Sequence, residues 1–303
     1  MTPNPTTLMR PTLTVFLFVL LSSTAASQDP GRRLTFDRAI DIPDASIGGI
    51  AWDGEALWAA PMRVADEDTS QVVHYVVDTS GTMLDTLRLP RPLGESSGGL
   101  AWIGDTLLRV EEQMGRVYRM TRSGDTINSF RTPDSAGLLN SWGIAVDGRR
   151  LYLSVYDSDS ALYELDPTTG AVLRQLPVPS FRVLGITMVG RRLIGADFYR
   201  GLLYHLDPET AAVLAVDTLP LPNVLGLAYD GAHLWVAARN GFGARSVIHR
   251  IDARFEQTVD APIERVQQDG QSPSLSIGEG VDSRAPIIVG GRPRAARGPR
   301  DAQ

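Results

Sequence analysis

The sequence predicts an all-β fold: a five-bladed β-propeller of four-stranded antiparallel blades, closed by an N-terminal strand pairing with the last blade. Three observations predict it. The stretch from Asn140 to Pro179, NSWGIAVDGRRLYLSVYDSDSALYELDPTTGAVLRQLPVP, holds four short alternating apolar runs divided by turn residues, which is the pattern of an antiparallel meander. The same layout recurs from Leu184 and from Leu225, with weaker copies at GGIAWDGEALWAA from Gly48 and GGLAWIGDTLLRV from Gly98. The glycine that opens each copy falls at Gly49, Gly99, Gly143, Gly185 and Gly226, spacings of 50, 44, 42 and 41 residues. A period of roughly 40 to 50 residues with four strands per unit belongs to propeller blades.

Residues 1–27 read as a secretory signal peptide. Arg10 is its basic region, Thr12 to Leu21 its short apolar run and Ser22 to Ser27 its small polar end. That run is about half of the roughly 20 apolar residues a bilayer crossing requires. The mature protein is therefore expected to be exported, periplasmic or extracellular, and not integral to a membrane. Residues 28–255 are assigned to the propeller and 256–303 to a disordered tail rich in Gln, Ser, Gly, Pro and Arg. The tail arginines Arg292, Arg294, Arg297 and Arg300 are either merely solvated or a tether to an anionic surface.

Within each unit the strands are named a to d from the hub outward. Strand a is a run of small residues such as Gly143 to Val146, suited to a crowded centre. Strand b carries Leu-Trp or Leu-Tyr, as at Leu57-Trp58, Leu151-Tyr152 and Leu234-Trp235. Strand c carries the column Tyr75, Tyr118, Tyr163, Tyr204 and His249, and strand d ends towards a proline, as at Pro90, Pro133, Pro179 and Pro222. The fifth unit stops after strand c at Ile251-Asp252. The run Leu34 to Pro43 supplies the missing strand d, and such closure removes the exposed edges of an open array.

Composition excludes several chemistries. All 29 basic residues are arginines and there is no cysteine, so Schiff-base lysines, a P-loop lysine, disulfides, thiolate nucleophiles and Cys-ligated zinc are ruled out. A net charge of -6 argues against nucleic acid as a partner. Gly94-Glu95-Ser96-Ser97-Gly98 matches G-x-S-x-G, but a strand rather than a helix follows it, so a nucleophile elbow is not expected. His74, His205, His233 and His249 form no close pair in sequence, which argues against a zinc site or a Ser-His-Asp triad. No cofactor is expected, and the chain is expected to be a monomer.

In a meander the d-to-a and b-to-c connections share one face, and the tight a-to-b and c-to-d turns share the other. Asp-Gly and Asp-Pro-Thr-Thr-Gly segments repeat on the second face and read as structural turns. The first face carries the segments that differ between units, where function concentrates. Its d-to-a loops supply Ser46, Glu95, Asn140, Trp142, Arg182 and Asn223. Its b-to-c loops supply Met62 to Thr69, Glu111, Glu112, Asp157, Asp159, Asp197, Tyr199, Arg239 and Asn240. Trp142 is either a binding platform or a plug in the channel, and Glu111 and Glu112 are either solvated charges or acids. Asp157, Asp159 and Asp197 can supply calcium ligands, although no recognisable calcium loop is present. The candidate ligand-binding set is Trp142, Asn140, Glu111, Glu112, Asp157, Arg182, Asp197, Asn223 and Arg239, with no metal ligand assigned and the catalytic residues unknown.

The order and phase of the units resemble the glutamine cyclotransferases of plants and bacteria. SWGIAVDGRRLYLS followed by LYELDPTTG is similar to that family's Glu-Gly-Trp-Gly-Leu segment, GGLAWIGDTLLRVEEQMGRVYRM to its second unit, and LGLAYDGAHLWVA to its last. The resemblance runs from about Gly48 to Asp252. It implies a five-bladed propeller that converts the N-terminal glutamine of peptides to pyroglutamate and releases ammonia. Where the family has its catalytic glutamate, after strand b of the first unit, this chain has Leu57-Trp58-Ala59-Ala60-Pro61. The Glu111-Glu112 region replaces the family's Trp in the second unit, and Asn140 stands for the glutamate of the Glu-Gly-Trp segment. Trp142 carries over.

Cyclisation needs one positioned carboxylate to take the proton of the attacking amine and deliver it to ammonia, so here the role would have to move to Glu111 or Glu112. The leading expectation is an exported binding or scaffold module for a peptide or small polar ligand. A cyclotransferase with a displaced acid is the alternative. A lyase or lactonase of the propeller type, families that share Gly-Leu-Ala-x-Asp-Gly-x-x-Leu-Trp-Val, comes third.

Overall fold

The computed structural model describes residues 31–42, 46–62, 71–90, 97–133, 141–156, 160–180, 182–241 and 245–252. Residues 1–27, expected to be a signal peptide, residues 256–303, expected to be a tail, Asn140, Asp157, Asp159, Glu95, Pro43 and residues 63–69 lie outside them, as does the whole of a second unit, Pro262–Gln303. Twenty strands form five four-stranded antiparallel sheets. Blade 1 is β2 (Ile47–Trp52), β3 (Leu57–Pro61), β4 (Gln71–Val77) and β5 (Met83–Pro90). Blade 2 is β6 (Leu100–Ile103), β7 (Thr106–Glu111), β8 (Arg116–Met120) and β9 (Thr126–Arg131), and blade 3 is β10 (Ser141–Val146), β11 (Leu151–Val155), β12 (Ala161–Leu165) and β13 (Val172–Leu176). Blade 4 is β14 (Val183–Val189), β15 (Arg192–Asp197), β16 (Leu202–Leu206) and β17 (Val213–Thr218). Blade 5 takes β18 (Val224–Tyr229), β19 (Leu234–Arg239) and β20 (Ser246–Ile251), and its outer strand is β1 (Phe36–Ile40) from the other end of the chain.

Convergence at the hub explains the glycine spacing. A Cβ at Gly49 would stand 2.1 Å from the Gly98 carbonyl oxygen, and one at Gly143 would stand 2.0 Å from the Leu184 carbonyl oxygen. Gly99 donates its N–H to the Trp142 carbonyl at 2.6 Å, which ties neighbouring inner strands together. Any side chain here would push the blades apart, so the glycine serves close backbone approach.

Five apolar clusters fill the five seams between blades. Successive strand residues face opposite neighbours: Leu57 packs into the seam with blade 5, and Trp58 into the seam with blade 2. Trp58, Tyr152 and Trp235 on the second strands each reach into the following blade. Their polar tips are satisfied, the two indoles within their own blade and the tyrosine in the next. Trp58 Nε1 donates to Asp53 at 2.7 Å, Trp235 Nε1 to Asp230 at 2.8 Å, and the Tyr152 hydroxyl to the Pro208 carbonyl at 3.3 Å. Fully burying such a ring contributes on the order of 3 kcal/mol relative to exposure.

The a-to-b turns differ from the expected Asp-Gly corner by one position. Asp147 stays opposite Arg150, its N–H bonded to the Arg150 carbonyl at 3.2 Å, while its carboxylate accepts the N–H groups of Arg149 and Arg150. Gly148, at φ 85°, then takes the left-handed position. The side chain of Asp147 stands in for a carbonyl because it can reach two successive donors at once.

Closure is as expected, with an addition. β1 pairs antiparallel with β20, Ala39 opposite His249 and Ile40 opposite Ile248. Ahead of β1, however, the chain also runs beside blade 4: Arg33 bridges Thr218 in parallel, and Thr218 N–H donates to the Arg32 carbonyl at 2.8 Å. Buried Asp217 accepts from Arg32 Nη2 at 2.9 Å and lies 2.9 Å from His205 Nε2. The first described residues are thus fastened to two blades.

Candidate functional site

The d-to-a and b-to-c connections gather at one end of the hub, and Trp142 fills it. Its ring is 4% exposed and packs with Leu184, Phe198 and Leu225, with Met62 and Tyr156 against this cluster. The indole N–H crosses the channel to the Leu225 carbonyl at 2.9 Å. Of the two roles open to Trp142 in the sequence, this geometry is that of the plug.

Around the plug lies a group of arginines and aromatic rings. The Arg182 guanidinium sits 4.9 Å from the centre of the Tyr156 ring and 5.5 Å from that of Tyr199, and the Arg239 guanidinium lies 5.8 Å from that of Phe198. These separations fall within cation–π range. Tyr156 stands edge-on to Trp142 at 6.2 Å, and its hydroxyl is hydrogen-bonded to the Glu112 carboxylate. Backbone bonds hold the group rigid. Phe198 N–H donates to the Arg182 carbonyl at 2.9 Å, and Asn223 N–H donates to the Phe198 carbonyl at 2.5 Å. Arg239 N–H donates to the Asn223 carbonyl at 3.1 Å. Asn223 itself adopts φ 58°, a left-handed conformation that asparagine tolerates better than most side chains.

The other carboxylates at this end are engaged in structure. Glu111 is fully buried and accepts the Met114 N–H, fixing the b-to-c turn of blade 2. Asp197, 1% exposed, accepts the N–H groups of Tyr199 and Arg200, both at 2.9 Å, and so caps the corresponding turn of blade 4. Ala59, where the resembled family has its catalytic glutamate, is buried in the seam between blades 5 and 1. Trp142, Arg182, Asp197, Asn223, Arg239 and Glu112 therefore come together, whereas Glu111 turns inward. Asn140 and Asp157 lie outside the described residues. Among the described residues no group of three or more His, Asp or Glu side chains is arranged to hold a metal ion.

No family model matches the sequence, and no curated protein matches it. Solved structures do. The chain is similar to the glutaminyl cyclase of Myxococcus xanthus, with a TM-score of 0.58 at 14% identity over 74% of this chain and 98% of that one. At that identity the likeness shows the fold, a five-bladed propeller, and no more. The chain also matches a nidogen–laminin complex (TM-score 0.49, 18% identity, 66% of this chain and 74% of that one). A third match is virginiamycin B lyase from Staphylococcus aureus (TM-score 0.43, 17% identity, 70% of this chain and 68% of that one).

A polar layer that the sequence did not signal underlies the blade 1 and 2 side. Arg109 is fully buried, its Nε 2.7 Å from the Ser97 hydroxyl, and burial draws its pKa down to about 10 against the attraction of Glu111. Beside it His74 is buried, and burial together with the Arg109 charge lowers its pKa to about 3, so it stays neutral. Among the described residues the channel also has free space at the opposite end, the end of the a-to-b turns. A cavity of about 130 Å³ opens there, with Trp52, Trp102, Val146, Met188 and Tyr229 in its wall. Midway, inner-strand glycines with Ile50, Ile144 and Ile186 close the channel to nothing.

Proposed function

We propose that the mature protein is an exported propeller that binds a peptide or small polar ligand at the end plugged by Trp142, with Arg182 and Arg239 anchoring its carboxylate. One observation carries this reading: two guanidiniums are held against aromatic rings on a rigid backbone frame beside the plug. Stacking fixes the plane of a guanidinium, and its paired N–H donors suit a carboxylate. Export rests on the leader pattern of residues 1–27.

Cyclotransferase activity is the second reading, and Glu112 is what favours it. Its carboxylate sits at this end, bonded to Tyr156, which itself touches the plug. Glu111 is a poorer candidate because it is buried and holds a turn. One experiment separates the readings: titrate the purified protein with the tripeptide Gln-Ala-Ala and follow ammonia. The binding reading expects heat of binding without ammonia, and loss of that heat in Arg182→Ala. Ammonia release abolished by Glu112→Gln overturns it in favour of the enzyme, and absence of any binding overturns it outright.

A further inference from the structure

We propose that the seam between blades 1 and 2 is an acid-sensitive opening in the ring, worked by His74. Alternation along the strands places the groups. Val72 and Val76 on β4 and Leu107 on β7 pack in this seam, so His74, two residues from each valine, and Arg109, two residues from Leu107, face it as well. Both are fully buried. No other blade repeats the pair. Counted from the aromatic column of the third strands, the other blades carry Val117, Leu162, Leu203 and Ile248 at the place of His74, and Ala59, Leu153, Gly195 and Val236 at that of Arg109.

The surroundings of His74 accept only its neutral form. Neither Nδ1 nor Nε2 has a hydrogen-bond partner, and the charge that acts on the ring is the Arg109 guanidinium. Among the described residues, the other ionisable groups that alternation turns to this seam are Glu111 on β7, Arg116 and Tyr118 on β8, and Asp85 on β5. Glu111 attracts Arg109 and holds the Met114 N–H, Arg116 is bonded to Ser129, Tyr118 lies near Arg109, and Asp85 is exposed. Beside His74 on its own blade stand Ala60 on β3 and Leu87 on β5. His205, the other histidine buried this deeply, has Asp217 2.9 Å from its Nε2 and meets a carboxylate on taking a proton. A proton on His74 instead sets a second cation against Arg109 in a dry seam, and parting the blades hydrates both. Burial and Arg109 hold the closed-state pKa down to about 3, whereas in the parted state the imidazole returns to about 6.5. Between those values the open form holds one proton more than the closed form, so it gains about tenfold for each pH unit of acidification.

Two measurements test this. Denaturant titration at pH 7 and pH 5 should show the unfolding equilibrium constant rising about twentyfold more in the unaltered protein than in His74→Leu, which carries the residue that blades 3 and 4 have at this place. The second locates the opening. The chain has no cysteine, so one introduced thiol reports on one seam: Val72→Cys on that between blades 1 and 2, Val236→Cys on that between blades 4 and 5. At pH 5 a small disulfide reagent should modify the Val72→Cys variant at least tenfold faster than the Val236→Cys variant, and adding His74→Leu should remove the difference. Equal rates at the two positions, or an acid response in His74→Leu as large as in the unaltered protein, would overturn the proposal. Should a cysteine variant fail to fold, the acid response decides alone, and His74→Gln, equally without a proton to gain, takes the place of His74→Leu if that one does not fold.

Discussion

The two ends of the ring are made by the same strands and differ in kind. At the turn end one device recurs: Asp53, Asp147 and Asp230 each cap the a-to-b turn through two backbone N–H groups, and Asp166 and Asp207 do the same in the c-to-d turns of blades 3 and 4. Ion pairs then join neighbouring blades, Arg122 to Asp53 and Arg150 to Glu209. At the loop end Asp197 caps the b-to-c turn of blade 4 in the same way, but among the described residues the group around the plug does not recur. Trp142, Arg182, Phe198 and Arg239 hold positions that no other unit fills alike. A device that repeats serves the blade, and one that appears once serves something the blade does not need.

The contrast can be broken first at the closing seam. Asp217→Ala leaves His205 buried without its carboxylate and releases Arg32, so a loss of about 3 kcal/mol is expected from denaturant titration, with peptide binding unchanged at the loop end. On the turn side, Asp230→Ala removes the acceptor for Trp235 Nε1 and for two backbone donors. A loss of about 2 kcal/mol is expected, again without effect on binding. Arg182→Ala should do the reverse, lowering affinity for Gln-Ala-Ala about tenfold while the unfolding midpoint barely moves.

The mildest test is acid. Burial raises the Asp217 carboxyl, but hydrogen bonds from His205 and Arg32 outweigh it and hold the pKa at about 2. Burial likewise opposes, and hydrogen bonds from Trp235 and the turn backbone outweigh, at Asp230, whose pKa is lowered. A carboxyl depressed in the folded state adds stability above its unfolded pKa of about 3.9, and that stability is lost as pH falls through the folded value. Unfolding free energy should therefore fall between pH 4 and pH 2, and less steeply in Asp217→Asn. An equal slope in both proteins would remove Asp217 from the account.

The fold was legible because it is written in local periods. Glycine spacing marks the hub, alternation marks the strands, and an orphan strand pattern at Leu34 finds the unit that lacks one. The site was legible only as a set of loops. Nothing local says that Arg182 will lie over Tyr156, which stands 26 positions earlier in the preceding blade, or that Glu112 will face Tyr156. Those outcomes depend on side chains meeting across seams. The Asp217 latch was hidden for the same reason, since its partner Arg32 is 185 residues away.

The pairing of β1 with β20 also sets a timetable. Asp37 and Arg250 meet across 213 residues, so the strand that leaves the ribosome early has no partner until the late one arrives. In thermodynamic terms so long a closure costs little more than a short one, about 0.6 kcal/mol per doubling of length, but contacts this distant in sequence delay folding. Until then the outer edge of β20 is bare and prone to pair with a neighbouring copy. A nascent chain of this kind gains from being kept unfolded until its synthesis is complete.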